Sequence, residues 1–100
     1  MSELSYFIKI VAADNNMLLW KDGKPDHISG AHHFGIDLIS EDRKKCMLVS
    51  CSKKLVFSDV AMAVAFCDYF LPGTELILVT NYPEVSRMVQ ELGKQVIVYK

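Results

Sequence analysis

The chain has 100 residues, of which 51% are hydrophobic and 23% are charged. This composition is typical of one packed domain, here spanning 1–100, and excludes a disordered polar tail. The formal net charge of -1 excludes the strongly basic surface with which proteins attract nucleic acid or anionic lipid. We therefore expect neither nucleic acid nor a membrane among its partners.

The targeting and cysteine patterns are those of a cytoplasmic protein. No apolar run reaches the roughly 20 residues that cross a bilayer, and segment 1–5 lacks the basic flank of a signal peptide. Cys46, Cys51 and Cys67 have neither CxxC nor zinc-finger spacing. Such cysteines are usually reduced, buried thiols, so no disulfide is expected.

The predicted elements alternate between strands and helices along the chain. Apolar runs of β-forming residues predict four strands, and apolar stripes at helical spacing predict three helices. The strands are 6–13, 46–50, 76–80 and 95–99, and the helices are 31–44, 60–71 and 83–92, with a loop at 17–26. The second helix, with a cap at Ser58-Asp59, is apolar on nearly every side. We expect other elements, or a subunit interface, to bury more than one of its sides.

This order, β-α-β-α-β-α-β, predicts a three-layer α/β domain with a mostly parallel, four-stranded sheet. Ligands of such sheets bind beyond the carboxyl ends of the strands. Those ends are predicted at 14–22, 50–54, 80–81 and 99–100.

The histidines and glycines do not form a recognisable cofactor site. His32 and His33 are adjacent, so on a helix their side chains point about 100° apart. His33 shares a helical face with Asp37, but two ligands do not make a metal site. No glycine-rich phosphate-binding motif is present. We expect no metal and no cofactor.

Three stretches resemble the N-terminal two-thirds of dihydrofolate reductase. They are 10–16 followed by 21–24, the segment 45–53, and Leu71-Pro72-Gly73 leading into 76–81 and 96–99. The resemblance implies a reductase-like sheet, and in the family it implies an enzyme that binds a folate and a dinucleotide.

The residues that carry the family's chemistry are not matched. Gly30 and Ala31 stand where the resemblance implies an acidic residue before the aromatic Phe34. Thr74 stands where it implies an arginine for the substrate carboxylate, and 50–53 keeps at most one cation for the dinucleotide phosphate. The resemblance therefore implies a scaffold that has lost the enzyme's site.

The expected function is that of a non-catalytic binding or regulatory protein that contacts another protein. The predicted loop includes an apolar run with the sole tryptophan, a residue type common in interface hot spots. The candidate contact residues are Met17, Leu18, Leu19, Trp20, Lys21 and Asp22. The resemblance points to a bacteriophage accessory protein that modifies a host enzyme, with a folate-pathway enzyme as the candidate partner.

Several alternatives remain open at this point. Trp20 can instead fold back onto the core, and the 60–71 helix can instead be buried in a homo-oligomer. The chain can also be a small ligand-binding protein or an enzyme, with a nucleotide- or folate-like ligand in the cleft at the carboxyl ends of the strands. Its polar groups are then Asp14, Asp22, His27 and Lys53. Cys51, close to Lys53, is the cysteine best placed for nucleophilic chemistry, against an inert thiol as the alternative.

Overall fold

Five strands form one mixed sheet in a computed structural model that describes residues 3–20, 36–92 and 95–99. The elements in chain order are α1 (Glu3–Asn15), β1 (Met17–Leu19), β2 (Leu38–Ser40), β3 (Lys45–Ser50), α2 (Phe57–Phe70), β4 (Glu75–Thr80), α3 (Arg87–Glu91) and β5 (Gln95–Val98). No helix in these three ranges is long and apolar enough to cross a membrane.

The strands lie side by side in chain order, from β1 to β5. The pairs β1–β2 and β2–β3 are antiparallel, whereas β3–β4 and β4–β5 are parallel. The longest ladder joins β3 to β4, from Lys45 opposite Glu75 to Ser50 opposite Thr80. The sheet thus changes from antiparallel to parallel pairing at β3.

Helices cover both faces of this sheet, which gives the domain three layers. On one face, Leu48 and Leu78 join a buried cluster with residues of α2 and α3. On the other face, Val49 and Val79 join a second cluster with residues of α1. Because successive strand residues point to opposite faces, strands covered on both sides need nearly continuous apolar sequence. This explains why β3 and β4 were predicted correctly.

The segment 6–13, predicted as the first strand, forms most of helix α1 instead. Phe7 and Val11 are buried one helical turn apart, with Ile8 and Ala12 partly buried beside them. A short continuous apolar run fits a buried strand and a helix equally well, so periodicity alone could not decide between them. The helix supplies the apolar cover that one face of the sheet requires.

The predicted helix 31–44 is also wrong over its described part, 36–44. Leu38 and Ile39 lie on strand β2 and are buried on opposite faces of the sheet. A turn then leads into β3, where the Asp42 carboxylate accepts hydrogen bonds from the Lys44 N–H and the Ser40 hydroxyl. These two bonds, the backbone bond first, lower the pKa of Asp42. Residues 31–35 and 21–26 lie outside the described part.

Among the described residues, the sheet therefore has five strands of mixed direction, not four mostly parallel ones, and the first element is a helix. Two of the strands, β1 and β2, have three residues each, which is too short for an alternating pattern to be recognised. The predicted strands 46–50, 76–80 and 95–99 and the predicted helix 60–71 are confirmed.

The predicted helix ends differ from those observed. Helix α2 has Val56 at its N-cap and no side-chain cap, so Ser58 does not serve as one. Helix α3 begins after Ser86, whose hydroxyl accepts a hydrogen bond from the Val89 N–H at 3.2 Å. Because the Ser86 side chain satisfies a backbone N–H that has no partner within the helix, the helix begins after Ser86 and not at Pro83. A glycine just after an apolar helical stripe favours a C-cap, and the residue in that position here, Gly93, lies outside the described part.

The Leu71-Pro72-Gly73 turn forms as expected and places the start of β4. The Thr74 N–H donates to the Leu71 carbonyl at 3.0 Å, and Gly73 has a φ of +88°. The Thr74 hydroxyl donates to the Arg43 carbonyl at 2.9 Å. Thr74, at the position where the resemblance implied a ligand-binding arginine, thus ties β4 to the turn before β3.

We expect Gly73→Ala to lower the free energy of unfolding by about 1 kcal/mol, because a residue with a Cβ is strained at positive φ. A Cβ at this position would have nothing within 4 Å, so the loss comes from the backbone alone. Gly73→Asn should cost less, since Asn tolerates this conformation better. Urea denaturation of the three proteins measures the difference, and equal stability would contradict the assignment.

Tyr99 follows β5 and joins it to α1. Its hydroxyl donates to the Asp14 carboxylate at 3.0 Å and accepts from the Asn15 amide at 3.3 Å, while its ring meets Phe7 edge-on at 5.3 Å. Burial, and then the hydrogen bond to Asp14, raise the pKa of Tyr99 above its ordinary value of 10.0.

This raised pKa predicts a loss of stability in alkali. The neutral phenol is favoured in the folded state, so its contribution is complete below pH 10.0 and is lost as the pH rises through the folded-state pKa. Tyr99→Phe keeps the ring contact and removes the titration. Unfolding free energies measured between about pH 8 and 11 should therefore fall more steeply for wild type than for Tyr99→Phe. Parallel curves would contradict this prediction.

Candidate functional site

The carboxyl edge of the parallel strands gathers polar residues from four parts of the chain. Strands β3 and β4 end side by side, where Ser50 pairs with Thr80. Because β2 runs antiparallel to β3, Asp37, just before β2, lies at this same edge. The carboxyl ends of parallel strands are the usual ligand-binding region of open α/β sheets.

Asp37 is held in place by the strands on either side of it. Its Oδ2 atom accepts a hydrogen bond from the Val49 N–H at 2.8 Å. Its own N–H donates to the Met47 carbonyl at 2.9 Å, and its carbonyl accepts from the Trp20 N–H at 3.0 Å. The carboxylate is therefore a fixed part of the sheet edge.

The loop after β3 is bonded to α1 and to the end of β4. Ser52 adopts a positive φ of 59°, and its hydroxyl donates to the Glu3 carboxylate at 2.8 Å. The Ser52 N–H donates to the side-chain oxygen of Asn81. The Cys51 thiol lies 3.5 Å from a Glu3 carboxylate oxygen and 3.6 Å from the Asn81 amide nitrogen. These contacts hold Cys51 beside a carboxylate, whereas a nucleophilic cysteine needs a cationic neighbour.

A cavity of about 170 Å³ opens beside this loop. Its lining residues are Leu4, Asp37, Leu48, Val49, Ser50, Cys51, Lys53, Lys54, Leu55, Val56 and Asp59. Pockets for drug-sized ligands and cofactors measure about 300–1,000 Å³, whereas a water molecule takes about 30 Å³. This cavity suits a few waters or a very small polar molecule, and is small for a nucleotide or a folate.

The charges around the cavity do not assemble a metal centre. Within ranges 3–20, 36–92 and 95–99, no three His, Cys, Asp or Glu residues come together in a way that could hold an ion. Lys54 pairs with Glu84 at 3.4 Å, with both side chains more than half exposed. Such an exposed pair contributes little to stability.

The predicted contact segment, 17–22, is not an open loop over its described part. Met17 and Leu19 belong to strand β1 and pack with the α1-side cluster. Trp20 is 5% exposed and lies in the cluster beneath α2, as in the alternative in which it folds onto the core. Leu18 is 46% exposed, and Lys21 and Asp22 lie outside the described part. A partner contact at this segment stays a prediction. Of the four described residues, 17–20, Leu18 is the one exposed enough to make such a contact.

Of the four polar residues predicted for a strand-end ligand, the two in the described part, Asp14 and Lys53, do not share one site. Lys53 lines the cavity, while Asp14 binds the Tyr99 hydroxyl instead. Asp22 and His27 lie outside the described part, as do Gly30, Ala31 and Phe34. Sequence reasoning missed Asp37 at this edge because it placed Asp37 on a helix. The sequence signal that could have indicated this position is a carboxylate, Asp37, directly before the apolar pair Leu38-Ile39.

Helix α2 has one buried side and one exposed apolar side. Val60, Ala63, Phe66 and Cys67 are buried beneath it, against the sheet. At 100° per residue, the residues Ser58, Met62, Ala65 and Tyr69 form a stripe on the outer side, and all four are exposed. We call these four residues the α2 stripe. Within the described part of the chain, α2 is thus buried on one side, and burial of a further side, by other elements or by a subunit interface, stays a prediction.

Three aromatic rings lead from the core to this stripe. Buried Phe66 contacts Phe70 with ring centres 4.9 Å apart, and Phe70 meets Tyr69 edge-on at 4.7 Å. Tyr69 is 78% exposed. Such ring contacts limit the motion of an exposed tyrosine, so less conformational entropy is lost when it binds.

Comparisons with protein family models, with curated proteins and with solved structures give no match for this chain.

The strained Ser52 allows a test of how the site loop is held. Ser52→Ala and Ser52→Gly both remove the hydrogen bond to Glu3, but only glycine relieves the positive φ. We expect Ser52→Gly to be more stable than Ser52→Ala by about 1 kcal/mol. Thermal or urea unfolding of the two variants measures this, and a more stable alanine variant would show that Ser52 does not carry backbone strain.

Proposed function

We propose that this chain is a non-catalytic regulatory domain that binds another protein through the α2 stripe. The observation that carries the proposal is an uncharged, solvent-exposed helix face containing Met62, 47% exposed, and Tyr69, 78% exposed. Methionine and tyrosine are enriched at protein interfaces, and aromatic anchors dominate their binding energy. An amphipathic helix of a partner fits such a face through side chains spaced three and four residues apart.

The charges of α2 indicate what kind of partner fits. Asp59 and Asp68 flank the stripe on its two sides, and the helix sequence contains no Lys or Arg. A partner with an apolar centre and a basic rim complements this arrangement. A second copy of the chain would bring the same acidic residues into one interface, so the homo-oligomer predicted through 60–71 is the less favoured occupant.

The carboxyl edge of the sheet supports a non-catalytic role. Its polar side chains are bonded to the protein itself: Asp37 to Val49, Ser52 to Glu3, and Asn81 to Ser52. An active site instead presents its groups to a substrate at a pocket of sufficient size. A nucleotide- or folate-like ligand is the less favoured alternative, because the cavity of about 170 Å³ is smaller than the usual pockets for such ligands.

The proposal does not depend on ancestry. No family model, curated protein or solved structure matches this chain. The resemblance to dihydrofolate reductase, the bacteriophage origin and the folate-pathway partner remain predictions. Of the features quoted for the resemblance, the Pro-Gly turn and strand β4 fold as expected, while 10–15 is helical.

The test uses a helical peptide of leucine and lysine whose leucines repeat at three- and four-residue spacing. Calorimetric titration should show saturable binding to the wild-type chain. Tyr69→Ala should weaken that binding at least tenfold, which corresponds to about 1.4 kcal/mol, because it removes the aromatic anchor of the stripe. Tyr6→Ala, on the outer side of α1 where Tyr6 is 61% exposed, is the matched control and should bind as wild type does.

Two results would contradict the proposal. One is equal binding of a leucine–glutamate peptide with the same apolar spacing, which would remove the charge argument. The other is equal weakening by Tyr69→Ala and Tyr6→Ala, which would show that the peptide does not bind at α2. A wild-type dimer that Tyr69→Ala dissociates would favour the homo-oligomer through 60–71.

A further inference from the structure

The outer edge of β5 is a second surface of this domain, separate from α2. The strand is the last of the sheet and pairs with β4 on one side. In the part of the chain that the structure describes, no strand pairs with its other side. An unpaired edge presents backbone donors and acceptors to any chain of matching shape.

One hydrogen bond fixes which residues present those groups. The Tyr99 N–H donates to the Thr80 carbonyl at 2.8 Å, so the backbone groups of Tyr99 point towards β4. Backbone groups alternate between the two sides of a strand. The N–H and C=O groups of Val96 and Val98 therefore point outwards, to the open edge.

Among the described residues 95–99, the charges, prolines and bulges that usually protect a sheet edge are absent. Natural proteins block edge strands with charged residues, proline, bulges or very short strands. From Gln95 to Tyr99 there is no charge and no proline, and all four strand residues are paired in register with β4 without a bulge. Val98 is 39% exposed.

We propose that a second copy of this chain pairs with β5, antiparallel, across a two-fold axis at Ile97. In this register Val96 of one copy lies opposite Val98 of the other, and each such pair exchanges two backbone hydrogen bonds. Because the strand carries no charge, its own copy meets it without repulsion. Two copies of the five-stranded sheet become one continuous sheet.

The groove beside β5 supports this occupant. It measures about 390 Å³ and is lined by Val85, Gln90, Val96 and Val98, so it lies between the edge strand and the segment around α3. A strand added at the edge extends the apolar surface on this side. A two-fold pairing uses the same edge of both copies and leaves no further β5 edge open, so it ends at a dimer and not a fibre.

Proline at position 98 provides the sharpest test. Val98→Pro removes an outward N–H and leaves the ladder to β4 intact, as proline is tolerated at sheet edges. Light scattering of the wild-type chain should give twice the chain mass of 11.3 kDa, and Val98→Pro should give the single mass with an unchanged circular dichroism spectrum. Val98→Thr keeps the N–H and should remain dimeric. A monomeric wild type at millimolar concentration would overturn the proposal.

Cross-linking tests the register even if the proline variant does not fold. In a Cys51→Ser background, Ile97→Cys places two cysteines opposite each other across the axis, with Cα atoms about 4.5 Å apart, within disulfide range. Mild oxidation with diamide should give a covalent dimer. Gln95→Cys, whose copies would lie about 13 Å apart, should not. Equal cross-linking of both variants, or none, would overturn the proposal.

The result is separable from the proposed function of α2. Tyr69→Ala should leave the β5 dimer intact, while Val98→Pro should leave binding of the leucine–lysine peptide intact. A dimer that both variants leave intact, with peptide binding weakened by Tyr69→Ala, would overturn the β5 proposal alone.

Discussion

The parallel ladder between β3 and β4 is the constraint on which the rest of the domain depends. Both strands carry apolar residues on each face, with Leu48 and Leu78 on one side and Val49 and Val79 on the other. Two parallel strands buried in this way require a crossover helix between them and apolar cover on both faces. Helix α2 is the crossover helix. Helices α2 and α3 cover one face of the sheet, and α1 covers the other.

The same constraint decides which surfaces remain for interaction. Helix α2 is buried on the side that covers the ladder, so its stripe, with Met62 and Tyr69, faces away from the sheet. Strand β5 extends the ladder by one more parallel pairing and then leaves an edge without charge. We propose the first surface for a basic, apolar helix and the second for the same strand of another copy. The two are independent because different elements carry them.

The carboxyl edge of the ladder is ordered by its own hydrogen bonds. Asp37 is bonded to β3, and the loop at Ser52 is bonded to both α1 and the end of β4. Hydrogen bonds of this kind use polar groups that an enzyme would direct at a substrate, and they leave a cavity that is small for a nucleotide. The site therefore contributes to joining the layers, which is the role we assign to it.

The sequence by itself determined β3, α2, β4, β5 and the turn at Gly73, because each has a strong local signal: a doubly apolar strand, a long apolar helix, or a Pro-Gly pair. Tertiary structure decided the rest. The apolar pattern of residues 6–13 fits a strand and a helix equally well, and the helix forms because one face of the sheet requires apolar cover. Leu38 and Ile39 fit an apolar helical stripe, but in strand β2, paired with β3, they lie on opposite faces of the sheet. Asp37 reached the site only through that pairing. Such choices depend on contacts between distant parts of the chain, which local periodicity does not contain.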